Sequence, residues 1–576
     1  MASASLSIAF TGSGGAGVMT AGQMLLAAAG RAGHYGLMTR SMGPQIRGGE
    51  SAAFLRLARH PVGAPDDRID LLVAIDWENV TRFLAELPMD AGGLILADPA
   101  QGAVPEGLVA HGPTVGDLPL KETAKSIDGG RANMVALGAA AGIAGIDRAA
   151  VDAVVNRALG RKGEAALTAA RAAIEAGFAQ AREHENGHAL APPETAPAEG
   201  TRWNVSGNEA TGLGALAGGV RFVAAYPITP ATDVLEYLAP RLEKLGGNLV
   251  QAEDELASIN MVLGAGYGGV PALTATAGPG FALMTEGIGL GIATETPAVV
   301  VDVMRGGPST GIPTKSEQAD LDIALSGMHG DAPHVVVAPN AIADCRATTE
   351  WAVRLAEALQ VPTVVLSDQF MGQARAVLDA PGAAPDVPAR RTAAPDDAGT
   401  YRRFAVTGDF VSPMALPGTP NGMYTADGLE HDASGAPSTL PEVHAEQLHK
   451  RRRKLEVFDY GAFWADVEGD GPAAIITWGS VTGAVREAAD RLRADGHAVR
   501  VISLRLLLPA QPERLAAALE GVDRVLVVEQ TEGAQFHRYL RAWYDLPADV
   551  RCLNRPGPLA LRPGEIADAL KEGAAP

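Results

Sequence analysis

The stretch AVVVDVMRGGPSTGIPT, residues 298–314, sets the reading of the whole chain. It opens as AVVVDV, a short apolar run dominated by β-branched valine, which is the pattern of a buried strand. The run stops at Arg305, and a loop rich in Gly, Pro and hydroxyls follows, Gly306 to Thr314. A guanidinium at the end of a strand is a natural fork for a carboxylate. An arginine with no binding role is the alternative reading.

Similar runs lie on either side: FVAAYP (222–227), ALTATA (272–277), HVVVAP (334–339) and TVVLSD (363–368). Strands alternating with helical stretches imply an α/β unit on a mostly parallel sheet. Such sheets bind ligands at the carboxyl ends of their strands. Two further clusters lie where that edge should be. Tyr226-Pro227-Ile228-Thr229-Pro230 is a proline-stiffened turn that presents Thr229, or simply a turn. Gln251-Ala252-Glu253-Asp254-Glu255 enters a helix over 256–265. Acids there suit the helix dipole whatever they do; the functional reading aims one carboxyl at a cofactor nitrogen.

Toward the N-terminus, a strand over 6–10 runs into Gly12-Ser13-Gly14-Gly15-Ala16-Gly17 and a helix over 18–32. Glycines in such a turn let backbone N–H groups approach a phosphate. Gly12, Gly14, Gly15 and Gly17 are therefore candidates for coenzyme A or another phosphate, with a bare structural turn and a dinucleotide as alternatives. Asp76 and Asp98 end later strands, beyond the roughly twenty-residue spacing of dinucleotide folds. Gly43 to Ser51 carries Arg47 among glycines, suited to an anion or a subunit contact, or simply to capping its own loop. Helices are expected over 133–144 and 149–181.

A Pro/Ala/Glu-rich linker precedes the second unit, and residues 377–470 lose all periodicity before a charged helix over 442–457. A third α/β unit closes the chain with strands AAIITWG (473–479), VRVISL (499–504) and DRVLVVE (523–529) and a helix over 481–495. The expected division is 1–187, a linker 188–201, 202–380, an irregular connection 381–470, and 471–576.

The 576 residues carry a net charge of −20, which repels nucleic acid. The basic run Lys450-Arg451-Arg452-Arg453-Lys454 reads as a solvated helix face or subunit contact. Only two cysteines are present, so one chain cannot supply the four thiolates of an iron–sulfur cluster. No apolar stretch reaches the roughly 18 residues of a membrane span, and the first residues lack a secretory pattern. A cytoplasmic protein is expected.

The clusters also carry a resemblance. GNEATGLGALAGG (207–219), AYPITPAT (225–232), QAEDELASINMVLGAGYGG (251–269), TATAGPG (274–280), the Arg305 loop and SGMHGD (326–331) occur in this order. The series resembles the alpha subunit of 2-oxoacid:ferredoxin oxidoreductases. GSGGAGVMTAGQMLL (12–26), GPQIRGG (43–49) and NMVALG (133–138) resemble the family's gamma subunit, and the third unit resembles the transketolase C-terminal domain. The gamma-before-alpha fusion, with Glu430-His431-Asp432 and KRRRKLE (450–456), is most similar to 2-oxoglutarate:ferredoxin oxidoreductases.

The resemblance implies a pyrimidine-binding domain for thiamine diphosphate, with Glu255 as the catalytic acid on the aminopyrimidine and Glu253 as the lesser candidate. Arg305 would take the substrate's 1-carboxylate, with Thr229 nearby. Electrons would pass to ferredoxin and the acyl group to coenzyme A. Gly469-Asp470-Gly471 precedes a strand instead of following one, so it reads as a turn. The diphosphate site, its Mg²⁺ and the iron–sulfur cluster would then lie on a separate beta subunit, in an α2β2 heterotetramer. Pyruvate or branched-chain oxoacids remain open as substrates. A non-catalytic nucleotide- or coenzyme A-binding scaffold is the alternative.

Overall fold

The valine run becomes the strand Ala298–Met304, every residue of which is buried. The computed structural model describes residues 3–43, 49–184, 188–193, 202–393 and 401–572. Ala298–Met304 lies inside a seven-stranded sheet in the order Leu506–Leu508, Val335–Val337, Pro362–Asp368, Ala298–Met304, Ala272–Thr276, Phe222–Ala225, Asn248–Gln251. Its neighbours all run parallel except Leu506–Leu508, which is antiparallel to Val335–Val337. A parallel strand with no polar alternation needs cover on both faces. Helices Gly207–Ala217, Thr232–Leu242, Glu255–Tyr267, Gly278–Ala293 and Asp344–Leu359 connect the strands.

The chain divides into two compact units. The larger holds this sheet and a five-stranded one, ordered Ala465–Glu468, Val499–Leu504, Ala473–Trp478, Arg524–Glu529, Asp549–Asn554. One apolar core runs through both sheets, joining Val300 and Trp351 to Trp478 and Val527. Gly469-Asp470-Gly471 falls in the turn between Ala465–Glu468 and Ala473–Trp478, with Asp470 exposed.

The smaller unit holds an eight-stranded sheet. It is parallel from Ser5–Ser13 outward through Leu71–Ala74, Leu94–Ala97 and Thr114–Asp117. On the other side it is antiparallel, through Glu50–Ala58, Tyr35–Met42, Arg375–Asp379 and Arg202–Ser206. The mostly parallel arrangement expected from the sequence thus holds on one side of this sheet only. The strands Tyr35–Met42 and Glu50–Ala58 mix charged, sulfur and small residues and give little strand signal. The single helix expected over 149–181 is two, Arg148–Leu159 and Glu164–Ala181, separated at Gly163 with φ 97°. Arg47 lies outside the described residues.

The basic run corrects another expectation. It sits on the helix Pro441–Glu456, but Lys450, Arg451 and Lys454 are buried. Residues four apart share a helix face, and this face meets acids. Lys450 Nζ donates to Glu295 Oε1 at 2.5 Å, and Lys454 Nζ donates to Glu295 Oε2 at 3.0 Å. Arg451 forks onto Glu430 at 2.9 and 2.8 Å. Burial alone would raise the Glu295 pKa, but Lys450 and Lys454 overcome it and hold the carboxyl well below the usual range. Only Arg452 and Arg453 keep substantial exposure.

Candidate functional site

The carboxyl ends of Phe222–Ala225, Ala272–Thr276 and Ala298–Met304 are adjacent in the larger sheet. Three of the residues singled out from sequence gather at this edge. Glu255 opens its helix, but the capping work falls to Asp254, whose Oδ1 accepts the Ala257 N–H at 2.7 Å. Glu253 is exposed, whereas Glu255 is turned inward and only 7% exposed. The Glu255 carboxyl lies against Gly280, in the first turn of Gly278–Ala293. A Cβ at Gly280 would stand 2.5 Å from Glu255 Oε1 and 2.8 Å from its Cγ. Glycine is therefore required for the acid to approach this helix N-terminus, where the dipole favours negative charge.

Thr229 and Arg305 are directly joined. Arg305 Nη1 donates to the Thr229 carbonyl oxygen at 2.5 Å. Arg305 is 6% exposed, and its Nε meets no acceptor. Burial lowers the Arg305 pKa, against the pull of Asp320 and Asp302. The Thr229 side chain stays exposed. The buried Asn208, on Gly207–Ala217, donates from Nδ2 to the Pro230 carbonyl at 2.9 Å and pins the turn that carries Thr229.

The Arg305 loop closes on itself: Gly306 donates to Lys315 at 3.0 Å, and Ile312 donates to Gly306 at 2.8 Å. Farther along, Gln318 and Gln530 stitch it to the five-stranded sheet. Gln318 donates through Nε2 to the Trp478 carbonyl at 2.9 Å, and Gln530 N–H donates to Gln318 Oε1 at 2.9 Å.

Sequence reasoning missed Asn208, Gly280, Asp302 and Asp320. One signal was present, since Asp302 interrupts an otherwise apolar strand. The others become visible only when separate segments meet.

The glycine-rich loop lies in the smaller unit. Gly12 is buried, with Asp76 beside it accepting from Ser13 Oγ at 2.8 Å. Gly17 has φ 86° and its carbonyl accepts from Asn133 Nδ2 at 3.3 Å. Gly14 and Gly15 are exposed at the tip. Among the described residues, no three His, Cys, Asp or Glu side chains group as a metal site, and no helix is long and apolar enough to cross a membrane.

Residues 213–450 match the family model for "Pyruvate flavodoxin/ferredoxin oxidoreductase, thiamine diP-bdg". Residues 7–180 match "Pyruvate ferredoxin/flavodoxin oxidoreductase", and 465–557 match "Transketolase, C-terminal domain". The alpha subunit of 2-oxoacid:ferredoxin oxidoreductase 2 from Aeropyrum pernix is 32% identical, over 98% of this chain and 97% of its own length. The 2-oxoglutarate synthase subunit KorA of Methanothermobacter marburgensis is 36% identical, over 64% of this chain and 97% of its own length. The solved 2-oxoglutarate:ferredoxin oxidoreductase of Magnetococcus marinus, with 2-oxoglutarate, coenzyme A and succinyl-CoA bound, aligns over 99% of both chains with TM-score 0.90 and 36% identity. The chain belongs to the alpha subunits of the 2-oxoacid:ferredoxin oxidoreductases, in the form that carries a gamma-type domain at its N-terminus.

Proposed function

We propose that this chain is the alpha-type subunit of a 2-oxoglutarate:ferredoxin oxidoreductase. In this reading it works in coenzyme A-dependent oxidative decarboxylation, with Glu255 on the aminopyrimidine of thiamine diphosphate and Arg305 on the substrate's 1-carboxylate. One observation carries the reading: a buried carboxyl held against Gly280, beside the strand end that presents Arg305. Thiamine diphosphate supplies the electron sink when bound. Glu255 holds a proton against a ring nitrogen in a site largely closed to water, where a carboxyl acts as general acid and base. Arg305 offers a charged fork to the carboxylate, and the Thr229 turn fixes its direction.

The diphosphate, its Mg²⁺ and the iron–sulfur cluster belong, in this proposal, to a separate beta subunit in an α2β2 assembly that reduces ferredoxin. Two cysteines cannot ligate a four-thiolate cluster, and Gly469-Asp470-Gly471 is an exposed turn. The chain would work in the cytoplasm. For the glycine-rich loop we propose a coenzyme A contact at the exposed Gly14-Gly15 tip. Gly12 and Gly17 are closed by Asp76 and Asn133.

Co-expression with the beta chain, followed by dye reduction on a panel of 2-oxoacids, tests the whole reading. Thiamine- and coenzyme A-dependent turnover with the largest kcat/KM on 2-oxoglutarate is expected. Preference for pyruvate or a branched-chain oxoacid would overturn the substrate assignment, and no turnover on any 2-oxoacid would overturn the activity.

A further inference from the structure

Two acids near Arg305 have no part in the mechanism above. Asp302 is fully buried inside its strand, and neither of its carboxyl oxygens meets a hydrogen-bond donor. The group facing it is Asp320, whose Oδ2 is likewise buried without a donor. Asp320 is firmly placed. A Cβ at Gly278 would fall 2.6 Å from both its carboxyl oxygens. Two residues before it, Gln318 is bonded to Trp478 and Gln530; two residues after it, the Asp322 N–H donates to Gln535 Oε1 at 2.9 Å.

Two charged carboxylates do not face each other where three of their four oxygens are buried without a donor, because the charges are poorly solvated and repel each other. One proton between them removes one charge and supplies an O–H donor. The surroundings leave no other source of neutralisation than Arg305. Ala272–Thr276 sets Thr276 opposite Asp302, and the first turn of Gly278–Ala293 sets Gly278 against Asp320, neither of them charged. Glu255 lies one step further, against Gly280. Pro362–Asp368 ends in Asp368, whose carboxyl accepts from the Met371 N–H at 2.8 Å. The Asp320 loop itself adds Glu317, a further negative charge.

We propose that Asp302 and Asp320 hold one proton between them and act as the positioning pair for Arg305. Together they carry a single negative charge that orients the guanidinium without occupying its fork. This deepens the substrate reading and rests on Arg305 receiving the substrate carboxylate. A lone ionised aspartate would compete for the fork by a direct charge-assisted bond. An uncharged pair would leave a buried guanidinium without compensation. The titration of the pair agrees: burial and the facing acid push Asp302 well up, while burial and Glu317 push Asp320 up to about 6. Coupled groups titrate as a unit, so near neutrality the pair keeps one proton.

The test uses the complex with its beta partner and steady-state kinetics on 2-oxoglutarate from about pH 5.5 to about pH 8. Asp320→Ala leaves Asp302 as the single acid before Arg305. The substrate KM should rise by about tenfold or more, with kcat changed by less than about threefold, as the fork is captured. Lowering the pH should bring KM back toward wild type as Asp302 takes up a proton. Asp320→Asn, which returns a donor to Asp302, should recover most of the lost affinity. An unchanged KM in Asp320→Ala, or equal pH-independent losses in the Ala and Asn variants, would overturn the pair. Arg305→Ala run alongside separates the two claims, since an unchanged KM there sinks the substrate reading itself. Should Asp320→Ala fail to assemble, the double Asn variant decides. In wild type and Asp302→Asn, acidification removes the last negative charge beside Arg305 and should raise KM; the double variant carries no charge and must lose that change, so a wild-type profile in it would overturn the proposal.

Discussion

Gly280→Ala is the substitution whose effect the geometry fixes most narrowly. The added methyl would stand 2.5 Å from Glu255 Oε1 and 2.8 Å from Glu255 Cγ. Comfortable carbon–carbon contact begins at about 3.5 Å, so the acid must retreat by roughly 0.7 Å or more. The same methyl would fall closer still to Thr276 Oγ1, so the Thr276 hydroxyl and the Glu255 carboxyl must both give way. Overpacking of this kind costs about 1–3 kcal/mol of stability. Displacing a reacting group by about 1 Å costs on the order of 100-fold in turnover. The assay is 2-oxoacid-dependent dye reduction by the assembled complex, with a thermal melt beside it. Gly264→Ala on the Glu255 helix is the control. Nothing lies within 4 Å of its added Cβ, and alanine in a helix gains about 0.5–1 kcal/mol over glycine. Gly280→Ala with wild-type turnover would refute the claim that the Gly280 contact sets the position of Glu255.

Three further outcomes are expected. Glu295→Gln leaves Lys450 and Lys454 buried without their acid, and should destabilise the chain by about 3–5 kcal/mol in urea melts. Asn208→Ala removes the bond to the Pro230 carbonyl, and should cost about 1–3 kcal/mol and raise the substrate KM by loosening the Thr229 turn. Asp320 has its pKa raised from 3.8 to about 6, so in that window the folded chain holds a proton that the unfolded chain releases. Its contribution to stability is full below the unfolded value and falls as pH rises through about 6. Asp320→Asn should remove the Asp320 share of that slope and leave the share of the still buried Asp302, as read from unfolding midpoints on either side of the window.

Strong periodic segments were readable in advance because their burial leaves a local trace. The valine runs, the helices after Gly17 and Asp254, and the charged helix near 442–457 all occur close to where sequence places them. Acids at a helix start suit the dipole whatever they do, so the local pattern marks the cluster and only the family resemblance sets Glu255 above Glu253. The fold adds the physical difference, turning Glu255 inward and leaving Glu253 exposed. Lys450 and Lys454 misled for the same reason: a run of cations looks solvated until a distant Glu295 supplies the partner. The Asp302–Asp320 pair joins a strand to a loop eighteen residues later, and proximity of that kind leaves no sequence period. Tyr35–Met42 and Glu50–Ala58 escaped notice because neither is rich in β-branched residues.

The most direct measurement is dye reduction by the assembled complex carrying Glu255→Gln, at matched occupancy of thiamine diphosphate. Loss of the proton-transferring carboxyl should lower turnover by about 10²–10⁴-fold while assembly and substrate KM stay close to wild type. Wild-type turnover at equal cofactor occupancy would contradict the account.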